Sequence, residues 1–444
     1  MNKIVYKEYK FAFIYAIFFG ILGISLSTPK EILYGFIKII LANDILITDY
    51  FELVGIGPCL INVSIVTLIT VLIMYINKIK LNGNSIFVIA LMSGFSFFGK
   101  NIFNMWFIIL GTYIFCIVNK ENFSKYTIIS LISTALSPII STTFFYNNNF
   151  ETKNIITSLF YGIIIGFIMP LLANHTDKLL HGLSLSNGGF AIGLLALILV
   201  PILKSYGYEF TTKLEWYSGN NLKISIILYI ISIMFIIIGI KKDKTNSWNN
   251  YKNILKRPGS PTHDFIILDG IPAVLINVGI NCIIATSYIL IIKGDLNGPT
   301  IGAIITIMGF STKGKHAKNI IPIMIGIILG GLTKQWEPNS PTAQLAALFG
   351  TTLAPIAGTY GFGAGILAGF IHSSVTLHAG IGYSGVNLYN NGFAAGIVSI
   401  VLFPILSKYI KPNTYSEPSP STIMSELENI EYKLDKMEKE ISKL

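Results

Sequence analysis

Apolar stretches of roughly 20 residues recur along almost the whole chain, and they constrain its fold more than any other feature of the sequence. A helix needs about 20 mostly apolar residues to cross the hydrocarbon core of a bilayer. Of the 444 residues, 52% are hydrophobic and only 12% are charged. A soluble protein covers its surface with about 25% charged residues. The sequence therefore predicts an all-α integral membrane protein in contact with the lipid bilayer.

An internal duplication is the second constraint, because matching segments recur in the same order in the two halves of the chain. Their separation is 215 residues at first and 217 or 203 residues further on. The matched positions used below are Asn62 with Asn277, Lys100 with Lys315, Pro138 with Pro355, His175 with His378, and Asn187 with Asn390. The sequence thus predicts two homologous helical repeats.

Five parts follow from these repeats. We predict a leader transmembrane helix and connector (1–53), membrane repeat 1 (54–206), a linker transmembrane helix with a basic loop (207–264), membrane repeat 2 (265–411), and a hinge with a coiled coil (412–444). Each repeat contains six apolar segments, so the leader and linker helices bring the expected total to about 14. Several of these membrane segments are short or broken.

The relative direction of the repeats depends on whether every segment crosses. If all six cross, the linker helix inverts repeat 2; if one segment of each repeat is re-entrant (84–98 and 298–311), the repeats are parallel. The loop at 241–264 is the densest in Lys and Arg. Basic loops stay on the cytoplasmic side. We therefore expect inverted repeats in a bacterial cytoplasmic membrane, with both termini cytoplasmic.

Pro138 and Pro355 lie inside apolar segments, and each is flanked four residues away on both sides by threonine. Proline lacks the N–H that bonds the carbonyl four residues earlier. In a bilayer, such a carbonyl needs a protein partner or a wet cavity. We expect unpaired main-chain oxygens facing a pocket shared by the repeats, with substrate-lining residues Thr134, Pro138, Thr142, Thr351, Pro355 and Thr359. A kinked helix with locally bonded threonines is the alternative.

Two pairs of asparagines are further candidates for the solute site. Asn62 and Asn277 lie inside apolar segments, where a buried amide needs a partner; a tie between helices is the favoured interpretation over solute contact. Asn187 and Asn390 open apolar runs after glycine-rich turns. The backbone N–H groups at such helix starts attract anions, although an ordinary asparagine cap explains the same pattern.

His175 and His378 are the matched histidines and the candidates for proton coupling, since histidine titrates near neutral pH. An interfacial position without that role is an equally good explanation. Lys100 and Lys315 follow matched glycines. We interpret them as flanking lysines that extend toward the membrane surface.

Catalysis has no visible machinery in this sequence. It contains no phosphate-binding loop, metalloprotease motif or nucleophile elbow, so we expect no enzyme activity, no cofactor and no catalytic residues. The cysteines, Cys59, Cys116 and Cys282, are isolated in apolar stretches, which predicts no metal site. The net charge of +10 is spread over loops and termini, so we expect no nucleic-acid partner.

A heptad pattern marks the end of the chain. From Ile423 to Leu444 apolar residues alternate at spacings of four and three among Glu and Lys. This pattern predicts a short coiled coil. A homo-oligomer held through residues 423–444 is the expected partner arrangement, with an amphipathic helix on the membrane as the alternative.

The proline-centred segments and the Asn-x-Gly-Phe-Ala-x-Gly repeats (187–193 and 390–396) resemble an uncharacterised bacterial family of multi-spanning membrane proteins, known only as a domain of unknown function. At the level of fold they are similar to inverted-repeat secondary transporters. The family resemblance implies no activity or substrate, and similarity of fold does not establish function. The proline-broken segments at matching positions of the two repeats predict a secondary transporter or facilitator of a small polar or anionic solute. A channel-like pore and a non-transporting membrane scaffold with an oligomerising tail are the alternatives.

Overall fold

The computed structural model describes residues 2–148 and 151–413, and the regular elements in this part of the chain are helices. The first half contains α1 (Asn2–Leu26), α2 (Pro29–Ile40), α3 (Tyr50–Val54), α4 (Ile56–Ile76), α5 (Gly83–Phe95), α6 (Trp106–Val118), α7 (Phe123–Ser133), α8 (Ser137–Phe144), α9 (Thr152–Leu179) and α10 (Asn187–Ser205).

The second half repeats this order. It contains α11 (Asn221–Lys242), α12 (Ser247–Ile254), α13 (Phe265–Ile291), α14 (Gly298–Phe310), α15 (Ala317–Thr333), α16 (Pro341–Gly350), α17 (Ala354–Tyr360), α18 (Phe362–Ala379) and α19 (Asn390–Tyr409). α11 packs against α13 as α1 packs against α4. The helices predicted as leader and linker therefore hold equivalent places beside the two repeats.

Nine helices of the described residues are long and apolar enough to cross a membrane. Four further apolar helices, α5, α6, α14 and α15, have only 10–17 residues. The outer surface is apolar as well. On α11 the exposed side chains include Leu222, Ile226, Ile230, Ile233, Met234 and Ile237. A continuous apolar surface of this kind belongs in lipid, as in a multi-pass membrane protein.

α5 and α14 form the centre of the molecule, where nearly all of their side chains are buried. They pack against each other through Gly94 and Gly302. A Cβ atom added to Gly94 would lie 2.4 Å from the carbonyl oxygen of Gly302, and one added to Gly302 would lie 2.3 Å from that of Gly94. Glycine at both positions is what lets the two backbones approach this closely.

The starts of α5 and α14 are capped by aspartates from the opposite half of the chain, each of which lies just before a membrane repeat. Asp264, just before α13, accepts a hydrogen bond from Gly83 N at 2.8 Å. Asp49, just before α3, accepts hydrogen bonds from Gly298 N and from Phe51 N. A carboxylate at a helix N-terminus satisfies free N–H groups and suits the helix dipole. The two repeats are thus joined by a reciprocal pair of caps.

Both proline-broken helices contain one turn of 3-10 helix, at Thr134–Leu136 and Thr351–Leu353. The carbonyl of Thr134 accepts a hydrogen bond from Ser137 N, and that of Thr351 accepts one from Ala354 N. The prediction that these main-chain oxygens are unpaired and face a pocket is therefore wrong. The physical reason is that a 3-10 turn closes on the donor three residues later.

The predicted coiled coil at 423–444 lies outside the described residues, and the oligomer that depends on it stays a prediction.

The breaks in the helices were expected at Pro138 and Pro355, and the structure has them immediately before these residues.

Candidate functional site

A cavity of about 490 Å³ lies between the two repeats. Its lining includes the start of α5 and the start of α10 from repeat 1, and residues 261–264 and Lys313 from the second half. At its inner end it reaches Ser186 and Tyr389. Small-molecule sites occupy roughly 300–1,000 Å³ and form where units meet, so this cavity has the size and place of a solute site.

Extended segments of each repeat close the inner end of the cavity by reaching the broken helix of the other repeat. Leu185 N donates to the carbonyl of Thr352 at 2.9 Å, and Leu388 N donates to the carbonyl of Ala135 at 3.0 Å. Leu185 and Leu388 are 203 residues apart, the separation of the duplicated segments. Each broken helix therefore has a main-chain carbonyl that accepts a hydrogen bond from a segment of the other repeat.

The hydroxyl groups of Ser186, Tyr389 and Thr352 form a buried network beside these hydrogen bonds. Ser186 Oγ lies 2.7 Å from Tyr389 Oη and is also hydrogen-bonded to Thr352 Oγ1. Because Ser186 and Tyr389 line the cavity, a solute that enters it meets hydroxyl groups that connect the two repeats. Ser186 and Tyr389 are matched positions of the duplication, 203 residues apart. Because one is serine and the other tyrosine, the comparison of the two halves did not reveal them.

Lys100 and Lys315 make equivalent hydrogen bonds to the two broken helices. Lys100 Nζ donates to Thr134 Oγ1 at 2.6 Å, and Lys315 Nζ donates to Thr351 Oγ1 at 2.7 Å. Their exposed fractions are 0% and 1%. The interpretation of these lysines as flanking residues that extend to the surface is therefore wrong. Each lies in the connection that follows α5 or α14, deep in the fold.

The other members of the predicted site are placed apart from these threonines. Thr142 Oγ1 donates to the carbonyl of Asn43 at 3.1 Å, and the carbonyl of Thr359 accepts a hydrogen bond from Asn413 N. Pro138 and Pro355 are buried next to the 3-10 turns. The structure thus brings Thr134 and Thr351 to the centre, whereas Thr142 and Thr359 lie at the outer ends of the broken helices.

Asn62 and Asn277 make the same contacts in the two repeats. Asn62 Nδ2 donates to the carbonyls of Ser96 and Lys100 at 2.8 and 2.9 Å. Asn277 Nδ2 donates to those of Ser311 and Lys315, both at 2.8 Å. Each amide therefore ties α4 or α13 to the connection that carries the buried lysine. This agrees with the favoured interpretation of these asparagines as structural ties.

Asn187 and Asn390 have different surroundings. Asn187 lines the cavity and donates to Asp177 Oδ1. Asn390 Nδ2 donates to the carbonyl of Thr376 at 3.1 Å, and its Oδ1 accepts from Tyr383 Oη. Neither caps its own helix start by a side-chain hydrogen bond. Of the two, only Asn187 is among the residues that line this cavity.

The matched histidines and the buried His372 have different surroundings. His175 and His378 are both exposed, and neither lines the cavity. His372 is fully buried, with Nε2 at 3.2 Å from Asn391 Oδ1 and 3.0 Å from Thr376 Oγ1. Proton coupling by the matched pair stays a prediction, and its members lie apart from the buried polar groups.

Asp44 is a buried carboxylate that the sequence analysis did not single out. It lies between α2 and α3 and accepts hydrogen bonds from Tyr50 at 2.5 Å, Ser141 at 2.7 Å, Asn104 at 2.9 Å and Asn101 at 3.0 Å. Burial raises the pKa of Asp44 to about 7 against the effect of these four donors. Asp44 thus joins the connection after α5 to α8, a contact that no repeat pattern predicts.

Asp269 lies inside the apolar helix α13, where its side chain is buried. Its carboxylate is held by Arg257, with Nε at 2.8 Å from Oδ2 and Nη2 at 2.9 Å from Oδ1. A planar guanidinium suits this two-point contact. The pair is buried and fixes the loop before α13 to the first turn of that helix, which is a structural role.

These features define a class of protein: a helical multi-pass membrane protein in which two related units enclose a polar cavity. The chain belongs to the family described as a protein of unknown function (DUF1576), whose profile matches residues 28–205 and 243–408. Each matched region begins before the predicted start of its repeat, at α2 and at the loop before α12. No curated protein and no solved structure matches the chain.

Proposed function

We propose that this protein is a membrane carrier or facilitator of a small polar solute, and that the solute binds in the cavity between the two repeats. The observation that carries the proposal is the cavity itself: both repeats line it, and it ends at the hydroxyl groups beside the broken helices. Broken helices at matching places of two repeats are typical of transporter sites.

The proposal includes repeats that run in opposite directions across a bilayer. Asp264, which precedes α13, contacts Gly83. A short loop separates Gly83 from the end of α4. Asp49, which precedes α4, contacts Gly298 beyond the end of α13. The start of each of these long helices is thus next to the end of the other, which supports an antiparallel relation of equivalent helices.

We further propose that α5 with α6, and α14 with α15, are re-entrant pairs. A second cavity, of about 560 Å³, is lined by residues 76–85 and by residues 122–128. The connection before α5 and the connection after α6 therefore lie side by side. In repeat 2, Asp295 N, in the connection before α14, donates at 2.9 Å to Gln344 Oε1 in the first turn of α16. These contacts support ten crossings and two re-entrant pairs, fewer than the predicted 14 spans.

The distribution of lysines supports an orientation. The Asp264 end of the molecule carries the loop between α11 and α13, with exposed Lys241, Lys242, Lys244, Lys252 and Lys256. The loop between α13 and α14 at the other end contains Lys293 alone. By the positive-inside rule, the cavity opens to the cytoplasm, with both termini on that side in a bacterial cytoplasmic membrane.

Aromatic side chains occupy the place that corresponds to the cavity in the other half. Ile132, Ser186 and Lys313 line the cavity. Their counterparts by the repeat separations are Phe349, Tyr389 and Phe98, of which Tyr389 also borders the cavity. Phe95 packs with all three of these rings, at centroid distances of 6.1, 5.5 and 5.8 Å. One open side and one filled side favour a carrier over a continuous pore.

Uptake by purified protein in liposomes tests the function. The proteoliposomes are incubated with a mixture of amino acids, organic acids, sugars, nucleosides and inorganic anions, then washed, and the trapped solutes are measured by mass spectrometry. We expect at least one solute to accumulate above protein-free liposomes, and to exchange in counterflow as a carrier requires.

Two variants control this experiment. Ser186→Trp fills the inner end of the cavity and should abolish uptake. Ile198→Trp lies on α10, the helix that Ser186 precedes; Ile198 is 60% exposed, and this change should leave uptake unchanged. Uptake that both variants retain contradicts the proposed site. Flux without saturation or counterflow supports a pore, and absence of uptake for every solute supports the membrane scaffold.

A further inference from the structure

We propose that the cavity binds a small zwitterion of the amino-acid class, with the solute carboxylate at Lys313 and the solute ammonium group at Asp177. This inference rests on the proposed function and names the substrate class of the same site. It follows from two groups of opposite charge that line the cavity, Lys313 and Asp177, neither of which takes part in an ion pair found between the described residues.

Lys313 supplies the positive wall. It lies in the connection between α14 and α15, and its Nζ donates to Asn84 Oδ1 at 2.9 Å. An ammonium group has three donors, so donors remain for a solute carboxylate. Lys313 takes part in none of the ion pairs found between the described residues. The ring of Phe87, 5.9 Å from Nζ, borders the same wall.

Asp177 supplies the negative wall at the mouth of the cavity. It lies in the last turn of α9, where a negative charge opposes the helix dipole. Its place is therefore not explained by the stability of its own helix. Asn187 Nδ2 donates to Asp177, and Asn187 Oδ1 is a buried acceptor with no partner of its own. A carboxylate and a free amide oxygen together suit an ammonium group.

The start of α10 adds donors for the carboxylate of the solute. Ser186 precedes the helix but makes no side-chain cap, because its hydroxyl bonds Tyr389 and Thr352. The first backbone N–H groups of a helix have no acceptor within the helix. Gly188, which lines the cavity, leaves these groups accessible since it has no side chain.

Asp264 also lines the cavity, but its oxygens already accept hydrogen bonds from the backbone. Gly83 N donates to Oδ2 at 2.8 Å, and Ile266 N and Ile267 N donate to Oδ1 at 2.9 and 3.3 Å. We assign Asp264 to helix capping. Asp264 keeps its charge, which acts on Lys313, but the charged side chains with hydrogen-bonding capacity left for a solute are Lys313 and Asp177. One group of each sign favours a zwitterion over a simple anion.

Binding to the purified, detergent-solubilised protein tests this inference without any transport step. The twenty L-amino acids and glycine betaine are screened by thermal shift at neutral pH, and hits are measured by calorimetry. Each hit is compared with its analogue that lacks the amino group and its analogue that lacks the carboxylate. We expect at least one amino acid to bind, and each analogue to bind at least tenfold more weakly.

Charge-removing variants locate the two contacts. Lys313→Gln and Asp177→Asn should each weaken binding of the hit at least tenfold, whereas Lys318→Gln and Asp243→Asn, at exposed positions, should not. The comparison of analogues on the native protein does not depend on the folding of any variant.

Two results overturn the inference. If no zwitterion binds, or if an analogue without the amino group binds as tightly as the amino acid and is unaffected by Asp177→Asn, the zwitterion assignment is wrong. The second result leaves the transport proposal intact, with an anion as its solute. Binding of an amino acid without uptake into proteoliposomes instead contradicts the transport function and leaves the binding site.

Discussion

Asp264 Oδ2 accepts a hydrogen bond at 2.8 Å from the backbone N–H of Gly83, a residue 181 positions earlier in the chain. The same carboxylate caps the start of its own helix through Ile266 N. One side chain therefore fixes the starts of two helices that belong to different repeats. The reciprocal contact of Asp49 with Gly298 makes the connection between the repeats symmetrical.

Removing this cap should destabilise the protein. Asp264→Ala leaves the N–H groups at two helix starts without their acceptor, and hydrogen bonds to a charged group contribute about 1.5–3 kcal/mol. We expect a loss of roughly 2 kcal/mol, measured as a lower melting temperature in detergent. Asp243→Ala removes an exposed carboxylate that bonds only its own turn, and it should lower the melting temperature much less. Equal effects of the two changes contradict the role assigned to Asp264.

Close packing of α5 on α14 predicts a second stability effect. In Gly302→Ala the new methyl group meets the carbonyl oxygen of Gly94 at 2.3 Å, so the helices must move apart. Overpacking of this kind costs about 1–3 kcal/mol. Gly363→Ala is the matched control, because a Cβ atom there has no neighbour within 4 Å and alanine favours helix. A Gly302→Ala protein as stable as the control contradicts the packing.

The buried hydrogen bond between Lys315 and Thr351 predicts different changes in stability for Lys315→Met and Thr351→Val. Lys315→Met replaces a buried polar group by an apolar chain of similar length, and stability should stay the same or rise. Thr351→Val instead leaves Lys315 Nζ without its oxygen acceptor and should cost about 1–3 kcal/mol. Thermal unfolding of the two variants is the measurement. A Lys315→Met protein less stable than Thr351→Val would show that the amine stabilises the fold.

Asp44 predicts a pH dependence of stability. Burial raises its pKa from 3.8 to about 7 in the folded protein, and burial raises the pKa of Asp49 to about 7 as well. Between these values the folded protein keeps protons that the unfolded chain has lost. Stability should therefore fall as the pH rises from about 4 to about 7, by about 1.4 kcal/mol per pH unit for each such group.

Asp44→Asn removes one of these two groups and should reduce the slope of melting temperature against pH by about half. Glu209→Gln, at an exposed carboxylate, is the control and should leave the slope unchanged. A native slope of zero, or a slope that the Asp44→Asn change leaves unaltered, contradicts the protonation of Asp44 in the folded state.

The helices of the repeats and the pairing of their residues could be predicted from the sequence because the length of apolar segments and the similarity of the two halves can be read from it directly. Apolar segment length gives membrane helices, and the 215-residue separation pairs Asn62 with Asn277 and Lys100 with Lys315. The equivalent hydrogen bonds of these pairs show that the duplication preserves the interior contacts as well as the residue types.

Features that occur in one repeat alone could not be predicted from the sequence. Asp44 has Gly259 as its counterpart at the 215-residue separation, so repetition gave no signal for it. The path of α5 and α6 was also undetermined, since hydropathy measures length and not direction. The carbonyls beside the prolines were misjudged, because a 3-10 turn and the loops of the other repeat supply their donors, and such long-range partners have no sequence pattern.

Two antiparallel repeats that enclose the solute cavity require the loops after α4 and α13 to lie on opposite sides of the membrane. Lys78 and Lys293 are exposed counterparts in the loops after α4 and α13. Each is changed to cysteine in a protein whose Cys59, Cys116 and Cys282 are replaced by alanine. A membrane-impermeant maleimide is then added to sealed vesicles of known orientation. We expect Lys78→Cys to react only from the cytoplasmic side and Lys293→Cys only from the opposite side. Reaction of both from the same side contradicts the antiparallel arrangement.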